Sequence, residues 1–357
     1  MYQVDIILIH DNDSHLIEKY ILKPINAKYY LFEPDNEIII NFKIIIYYIK
    51  YLYNCKDLYL SYIYSLIKVT NSKITLSFVD DSKLVFRFAS LNNIAKHYAI
   101  QNGKRKRSQL ESIHPEYGIN QEKFSLDNYF CFGDYEKDIF TKYNHKINNY
   151  LPVGSLRQSI SELNIRCNEE FDICLVSCWK EINFIDNENK TSLNKYVSKI
   201  NDIIDNYLLR FLKDNSLNVI IALNGDESGK DFNYYTNLFG KKAHLLPRTD
   251  FSSYEAIHMS KVVISTFSTL VVEAFGIGKK IMFIDYSKRK LYSSYDYGDW
   301  FLYEEGYRAF NKKLNRIIHM DNKEWKIKTN KYGSYLMKYD KDFPTYLKIQ
   351  NELKSQI

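Results

Sequence analysis

The chain alternates short apolar runs with longer amphipathic segments. In the first half, each apolar run of strand length ends in polar residues or glycine. These runs lie at residues 6–9, 73–78, 84–88, 97–100 and 129–132, and residues 38–53 have the length of a helix. β-Branched and aromatic runs bounded by turn residues are typical of strands. The alternation predicts a parallel sheet whose ligand site lies at the carboxyl ends of its strands.

A second α/β pattern follows a looser stretch of sequence at residues 143–164. Its predicted elements are strands at residues 171–177, 218–223 and 244–246, a long helix at 192–213, a short helix at 251–259, and a mostly helical end at 306–357. Strands that alternate with helices again indicate a doubly wound sheet. The chain therefore contains two α/β halves.

Residues 151–155 (LPVGS) separate the two patterns and have the composition of a hinge. The fold predicted is α/β, with two Rossmann-like doubly wound domains facing a cleft. We expect the first domain at residues 1–150, the second at 151–325, and a C-terminal helical segment at 326–357 that packs back on the first domain.

Residues 261–285 carry the richest chemistry of the chain, because they predict a strand, a hydroxyl-rich turn, a helix and a second strand. The turn holds Ser265, Thr266, Ser268 and Thr269, and Glu273 follows about one helical turn later. A helix start offers backbone N–H groups and a positive dipole end, which suit a phosphate, and a carboxylate can accept from ribose hydroxyls. A Ser/Thr turn that only caps the helix is the alternative.

A second polar group follows the predicted strand at residues 97–100. Gln101, Asn102 and Gly103 place donors at a strand end, and the basic Arg105 follows. His114 lies in the irregular segment beyond it and is a candidate for contact with a substrate. An ordinary Asn-Gly turn and a surface-loop histidine are the alternatives.

Asp80 and Asp81 follow the predicted strand at residues 73–78 and are candidates for a general base. Asp11 and Asp13, after the first strand, compete for that role, and a turn with no chemistry is the remaining alternative. No spacing of ligands along the chain predicts a required metal or other cofactor.

Composition narrows the possible partners. Lys and Arg exceed Asp and Glu by 49 to 43, and the densest basic run, at residues 104–107, is short. A nucleic-acid-binding protein usually has a stronger basic stripe. The run has three interpretations: contact with an anionic substrate, with an acidic membrane surface, or with solvent alone. We predict no nucleic-acid partner.

The targeting features predict a protein of the cytoplasm or of the cytoplasmic face of the inner membrane. The N-terminus lacks a secretory signal pattern, and no apolar stretch reaches the length of a membrane span. The five cysteines do not form a metal-binding set, so we expect reduced thiols.

Several motifs in order along the chain resemble a known family. The segment VV…STL…EA…GKK…F at residues 262–283 resembles the nucleotide-sugar glycosyltransferases of the GT-B type and, more narrowly, bacterial surface carbohydrate biosynthesis proteins. The IQNG-x-R pattern at residues 100–105 and the endings GDWF (298–301) and MDNKEW (320–325) are similar to the same family. Val271 and Val272 depart from the Gly-Tyr that the family tends to have.

The resemblance implies a glycosyltransferase that builds a surface polysaccharide or lipopolysaccharide from a nucleotide-sugar. It implies that Ser268 and Thr269 hold the donor phosphate and that Glu273 binds the ribose. Gly154 and Ser155 are similar to a hinge whose backbone N–H groups face the donor phosphates, with a hinge that binds no ligand as the alternative.

On the acceptor side, Asp80 matches the family's acid, and Gln101 to Gly103 would shape the acceptor or the reacting sugar. The acceptor would be a glycan or a lipid-linked glycan, and the protein would have peripheral contact with the inner membrane. The scarcity of basic residues for a diphosphate favours a CMP-linked acidic sugar of the Kdo or nonulosonic type over UDP or GDP sugars. A sugar-nucleotide epimerase and a non-catalytic assembly partner are the alternatives.

Overall fold

The computed structural model describes residues 3–9, 13–33, 39–105, 123–179, 188–223, 229–266, 268–286 and 298–357. The described residues form two compact units. The first contains residues 3–103, 123–160 and Tyr335–Ile357, and the second contains residues 104–105 and 161–334.

The first unit is built on a six-stranded sheet whose neighbouring strands are all parallel. Its strands are β1 (Ile6–Ile9), β2 (Tyr29–Phe32), β3 (Ile74–Ser77), β4 (Lys96–Ile100), β5 (Ser125–Cys131) and β6 (Lys146–Pro152). The spatial order is β2-β1-β3-β4-β5-β6. The direction of winding reverses between β1 and β3, so a ligand crevice is expected at their carboxyl ends.

The second unit repeats this design with another six-stranded parallel sheet. Its strands are β7 (Phe171–Val176), β8 (Val219–Ala222), β9 (Ala243–Leu245), β10 (Ser260–Ser265), β11 (Lys280–Ile284) and β12 (Phe301–Leu302). The order β12-β11-β10-β7-β8-β9 places the reversal between β7 and β10. The predicted α/β class with two doubly wound sheets is confirmed.

Helices connect the strands. In chain order they are α1 (Ser14–Ile17, continued as a π-helix over Glu18–Leu22), α2 (Phe42–Cys55), α3 (Leu58–Thr70), α4 (Lys83–Arg87), α5 (Asp134–Lys142), α6 (Leu156–Asn164), α7 (Glu188–Asp214), α8 (Lys230–Phe239), α9 (Ser252–His258), α10 (Thr269–Gly276), α11 (Tyr307–His319), α12 (Asn322–Leu336) and α13 (Thr345–Lys354). Within the part of the chain that is described, no helix is long and apolar enough to cross a membrane.

Side-chain caps explain where several helices begin. The side chain of Asn41 accepts from Ile44 N–H at 2.9 Å at the start of α2, and Asp57 accepts from Leu60 N–H at 3.1 Å at the start of α3. Such caps satisfy backbone donors that have no partner inside the helix. A cap also explains one wrong prediction. The strand predicted at residues 84–88 is wrong: residues 84–87 belong to α4 and a 3-10 helix (Phe88–Asn93) follows, because the Ser82 hydroxyl accepts from Leu84 N–H at 3.2 Å and starts the helix.

The predicted hinge differs from the structure. Strand β6 occupies much of the stretch where the pattern loosens, and its polar face made it difficult to detect: Asn149 donates to Asn128 on β5 at 3.0 Å. An edge strand tolerates such polar residues and a terminal proline. The predicted boundary at residue 151 therefore falls inside the first unit, and residues 326–357 divide between the two units after Ser334.

Candidate functional site

The reversal point of the second sheet is where β7 and β10 lie side by side. At the end of β10 the Ser265 hydroxyl donates to the carbonyl of Val176 at 2.7 Å, and the Cys178 sulfur lies 3.5 Å from that hydroxyl. This bond uses the Ser265 proton within the protein, and contact of Ser265 with the donor stays a prediction. The contact holds the two strand ends together at the position where open α/β sheets bind ligands.

Three hydroxyls follow at the start of α10. Thr266 is buried, and within the described residues its hydroxyl has no hydrogen-bond partner. Ser268 accepts from Leu270 N–H at 3.2 Å, and Thr269 accepts from Lys104 N–H at 2.9 Å. A hydroxyl that accepts one bond still has its proton to donate. The positive end of α10 and these hydroxyls together form a site suited to an anion.

Glu273 lies one turn further along α10 and is 3% exposed. The Tyr254 hydroxyl, on α9, lies 3.1 Å from each of its two carboxylate oxygens. Burial of a carboxylate is unfavourable unless polar groups compensate it, so Tyr254 is a positioning residue for Glu273. The role of Tyr254 is not evident from the sequence, because no local pattern connects it with Glu273, which lies 19 positions away.

A polar cavity of about 410 Å³ lies at the carboxyl ends of β8 and β9. Arg248, Thr249 and Asp250 line one part of it, and Ser252 and Ser253 line another. Ser253 directly precedes Tyr254 in α9, so the cavity adjoins the residue that contacts Glu273. The cavity cannot be predicted from local sequence, because its walls come from three elements that are far apart along the chain.

The back of α10 is supported by the tryptophans of the two C-terminal motifs. The Phe275 ring lies 5.1 Å from that of Trp300 and 6.2 Å from that of Trp325. Gly298 has a φ of +105°, and a Cβ there would lie 2.4 Å from the Trp300 ring. These motifs therefore position α10 by packing.

The two lysines of the GKK motif stabilise the opposite end of the sheet. Lys279 donates to the carbonyls of His258 at 3.0 Å and Ser260 at 2.7 Å, and Lys280 donates to the carbonyls of Ile318 and Met320. Lysines at helix C-termini satisfy carbonyls that lack partners and oppose the helix dipole. Burial lowers the pKa of Lys280. Neither lysine points to a phosphate.

Asp80 of the first unit is completely buried and holds two protein donors. The Tyr129 hydroxyl donates to one carboxylate oxygen at 2.7 Å, and Asn102 N–H donates to the other at 3.2 Å. These contacts hold the turn at Asn102, and the role of Asp80 as a general base stays a prediction. Its neighbour Asp81 is solvent-exposed.

Gln101 is anchored in the same way. Its amide nitrogen donates to Glu136 and to the carbonyl of Gly103, both at 3.0 Å, and its oxygen accepts from Phe132 N–H at 2.7 Å. Burial raises the pKa of Glu136 to about 7, against the lowering effect of the hydrogen bond from Gln101. The Gln101 side chain therefore builds the turn, while Asn102 and Gly103 are half-buried and partly open to solvent. Glu136 was missed, since it lies on α5, 35 residues away.

Asp13 pairs with Arg157 near the reversal point of the first sheet. The Arg157 guanidinium lies 5.4 Å from the centre of the Phe78 ring, which follows β3. Asp13 was one of the competing carboxylates, but Arg157 was not singled out. The ion pair makes Asp13 a weaker candidate base, because its carboxylate is already engaged by the Arg157 guanidinium.

Gly154 and Ser155 are occupied by internal contacts. Gly154 N–H donates to Cys131 at 3.3 Å, and Ser155 accepts from Gln158 N–H at 3.2 Å at the start of α6. Gly154 has a φ of +102°, and a Cβ there would lie 2.2 Å from the carbonyl oxygen of Lys338. These contacts engage both residues within the protein, and their contact with donor phosphates stays a prediction.

Three predicted residues remain: Arg105, His114 and Asp11. Arg105 belongs to the second unit and is buried, whereas His114 and Asp11 lie outside the described residues. In the described ranges no group of three or more His, Cys, Asp or Glu residues could hold a metal ion.

Sequence comparison identifies the family. A family profile described as "putative O-antigen biosynthesis protein" matches residues 98–354, well over half of the chain. The chain belongs to this family. The resemblance to surface carbohydrate biosynthesis proteins is thereby confirmed. No curated protein sequence matches the chain significantly.

Solved structures similar to this O-antigen biosynthesis family member have the GT-B fold. A variant of the wall teichoic acid polymerase TagF is 13% identical, with a TM-score of 0.55 over 99% of this chain and 90% of that chain. Staphylococcus aureus MnaA with UDP is 11% identical, with a TM-score of 0.59 over 99% and 96%. Methanocaldococcus jannaschii UDP-GlcNAc 2-epimerase with UDP-GlcNAc and UDP is 11% identical, with a TM-score of 0.56 over 99% and 100%. At these identities the likeness establishes the GT-B fold alone.

Proposed function

We propose that this protein is a glycosyltransferase that moves a sugar from a nucleotide-sugar to a growing bacterial surface glycan, with the nucleotide bound by the second unit. The observation that carries the proposal is the buried hydroxyl of Thr266, which has no partner among the described residues and lies just before α10. An unsatisfied buried hydroxyl destabilises a protein. A phosphate oxygen at the start of α10 would satisfy it.

The arrangement of polar groups in the second unit supports the binding of a whole nucleotide. The polar cavity beside Ser253 would take the base, Glu273 would accept from the ribose hydroxyls, and Ser268 and Thr269 would donate to the phosphate. Base, ribose and phosphate follow one another in this order in every nucleotide. Preorganised donors at the phosphate would also stabilise the departing nucleotide.

The donor is proposed to be a CMP-linked acidic sugar of the Kdo or nonulosonic type. Lys279 and Lys280, the cations nearest in sequence to α10, are bound to backbone carbonyls. A single phosphate needs fewer positive partners than a diphosphate does. No metal or other cofactor enters this proposal.

In the first unit, Asp81 is proposed as the general base toward the acceptor hydroxyl, because it is the exposed member of the Asp80–Asp81 pair. Asp80 and Gln101 would hold Asn102 and Gly103 in place for the acceptor or the reacting sugar. The acceptor would be a glycan or a lipid-linked glycan.

The test of the nucleotide site is Thr266→Val, which keeps the shape of the side chain and removes the hydroxyl. We expect CMP affinity to fall about tenfold by calorimetry, in line with the loss of a hydrogen bond to a charged group. The melting temperature of the free protein should stay equal or rise, since no protein partner is lost.

Thr329→Val is the matched control, because Thr329 is also buried in the second unit but donates to the Trp325 carbonyl at 2.7 Å. It should lower the melting temperature and leave CMP affinity unchanged. If Thr266→Val binds CMP, CDP, UDP and GDP as tightly as the wild type does, the phosphate site is elsewhere.

The reaction type needs a separate test, because transferases and epimerases share this fold. Purified protein incubated with a nucleotide-sugar and no acceptor should leave the sugar unchanged. Conversion to an epimer under these conditions would identify an epimerase. Failure of all four nucleotides to raise the melting temperature would instead favour a non-catalytic assembly partner.

A further inference from the structure

Helix α2 in the first unit exposes a stripe of large apolar side chains. Phe42 is 78% exposed, Ile46 50%, Ile49 62% and Tyr53 85%. Their spacing of four, three and four residues places them on one face of the helix. Single exposed apolar residues are ordinary, but a contiguous apolar stripe usually marks an interaction surface.

The opposite side of α2 is already packed. Ile44 is buried, and the Tyr51 ring lies 5.1 Å from that of Tyr64 on α3. The exposed stripe is therefore not the face that attaches α2 to its own unit. A helix that is apolar on both sides has a second apolar surface to cover.

The charged residues within α2 have one sign. Lys43 and Lys50 lie on the helix beside the stripe, Lys56 follows at the C-terminal cap, and no Asp or Glu occurs in Phe42–Cys55. The nearest acid along the chain, Asp57, is paired with Arg87 at 2.8 Å. Helix α2 thus combines exposed apolar side chains with positively charged ones.

An apolar cavity of about 560 Å³ adjoins the stripe and extends it. Ile40, Ile45 and Leu58 line the cavity and are themselves 72%, 43% and 63% exposed. The apolar surface is therefore broader than one helix face and continues into a groove.

We propose that α2 is an interfacial anchor that binds the surface of an anionic phospholipid bilayer. The stripe would lie at the boundary between headgroups and acyl chains, with Lys43 and Lys50 on the lipid phosphates and Tyr53 at headgroup level. Apolar burial and attraction to anionic lipid together determine the strength of such binding. A symmetric pair of chains fits less well, because a self-complementary contact brings like lysines together.

The test is co-sedimentation of the full chain with vesicles of phosphatidylglycerol and phosphatidylcholine, compared with vesicles of phosphatidylcholine alone. The wild type should bind the anionic vesicles, and binding should weaken as salt rises above about 0.1 M. Ile46→Ser with Ile49→Ser should weaken binding roughly tenfold or more. Lys43→Gln with Lys50→Gln should weaken binding to the anionic vesicles only.

Two controls match these variants on a surface of the second unit. Ile327→Ser removes an isoleucine that is 76% exposed, and Lys326→Gln with Lys331→Gln removes two exposed lysines. Neither should change vesicle binding, and all variants should keep the wild-type melting temperature.

Three outcomes would overturn the proposal. They are a wild type that does not bind the anionic vesicles, an Ile46→Ser, Ile49→Ser variant that binds as the wild type does, and a wild-type dimer that this variant converts to a monomer without any vesicle binding. The last outcome would assign the stripe to a second copy of the chain. Nucleotide affinity is measured separately and does not depend on any of them.

Discussion

The hydroxyl of Tyr254 lies 3.1 Å from both carboxylate oxygens of Glu273. The two side chains come from different helices, and Glu273 is buried within α10 in the second unit. The contact satisfies a buried carboxylate with a hydroxyl and fixes its orientation. If Glu273 binds a ribose, Tyr254 prepares it to do so.

Glu273→Gln should weaken CMP binding but leave the binding of 2′,3′-dideoxy-CMP unchanged, because only CMP has hydroxyls to donate to the carboxylate. We expect a loss of about tenfold for CMP, as for one hydrogen bond to a charged group. Calorimetry with both nucleotides measures the difference. Equal losses for the two nucleotides would exclude the ribose role.

Tyr254→Phe separates orientation from direct contact. It removes one donor to Glu273 and should lower the free energy of unfolding by about 1–3 kcal/mol. CMP affinity should fall less than in Glu273→Gln, since the carboxylate is still present. Tyr332→Phe, at a tyrosine that is 44% exposed in the second unit, should change neither quantity.

Asp81→Asn should abolish sugar transfer and leave CMP affinity unchanged, because an amide cannot accept the acceptor proton. Transfer is measured with a labelled donor, and affinity by calorimetry.

Asp80→Asn should lower the melting temperature, since it weakens the hydrogen bonds from Tyr129 and Asn102. If the Asp81→Asn enzyme is fully active, another carboxylate is the general base.

Glu136→Gln should flatten the pH dependence of stability. Burial raises the pKa of Glu136 from 4.5 to about 7, so between these values the folded state binds more protons than the unfolded state does. The free energy of unfolding therefore falls as pH rises through this window, by up to about 3 kcal/mol.

Urea unfolding at several pH values between 4 and 8 measures this slope. The difference in stability between Glu136→Gln and the wild type should shift in favour of the variant as pH rises. Glu304→Gln, at an exposed position, should follow the wild-type profile. A variant that runs parallel to the wild type would show that the pKa of Glu136 is the same in the folded and unfolded states.

Lys279→Met should lower the melting temperature without weakening nucleotide binding. The substitution leaves the carbonyls of His258 and Ser260 and the carboxylate of Glu169 without their shared donor. Leaving these acceptors without a donor should lower the free energy of unfolding by about 1–3 kcal/mol. A large loss of CMP affinity with unchanged stability would instead give Lys279 a phosphate role.

Gly154→Ala should destabilise the first unit strongly. An alanine Cβ would meet the Lys338 carbonyl at 2.2 Å, and the φ of +102° is unfavourable for any side chain. Gly229 has a left-handed helical backbone, with a φ of +67° and a ψ of 12°, and no atom lies within 4 Å of a Cβ there. Gly229→Ala should therefore cost only about 1 kcal/mol by thermal or chemical unfolding, and a similar small cost for Gly154→Ala would contradict the close approach.

Local pattern was enough to predict most strands. The apolar run at residues 6–9 became β1, and the turn after β10 opens a helix at Ser268, because a cap residue and a β-branched run act over a few positions. Local pattern gave a wrong prediction at residues 84–88, where a strand was expected, and did not predict β6. There the Ser82 cap and the cross-strand pair of Asn149 with Asn128 outweighed hydrophobicity.

The candidate site was predicted less completely than the fold. Its hydroxyls and carboxylates were found because a strand end followed by polar residues is visible in a sequence. Their partners were not, since Tyr129 is 49 residues from Asp80 and Glu136 is 35 residues from Gln101. Sequence order does not record which polar groups meet after folding.

The amino-acid sequence by itself determined the α/β class, the two doubly wound halves and the hydroxyl-rich start of α10, because these depend on periodicity and short-range capping. Only the tertiary structure decided which polar groups are already used. Hydrogen bonds within the protein engage Ser265, Gly154 and Asp80, whereas the Thr266 hydroxyl has no partner among the described residues. The physical reason is that hydrogen-bond satisfaction depends on distances across the fold.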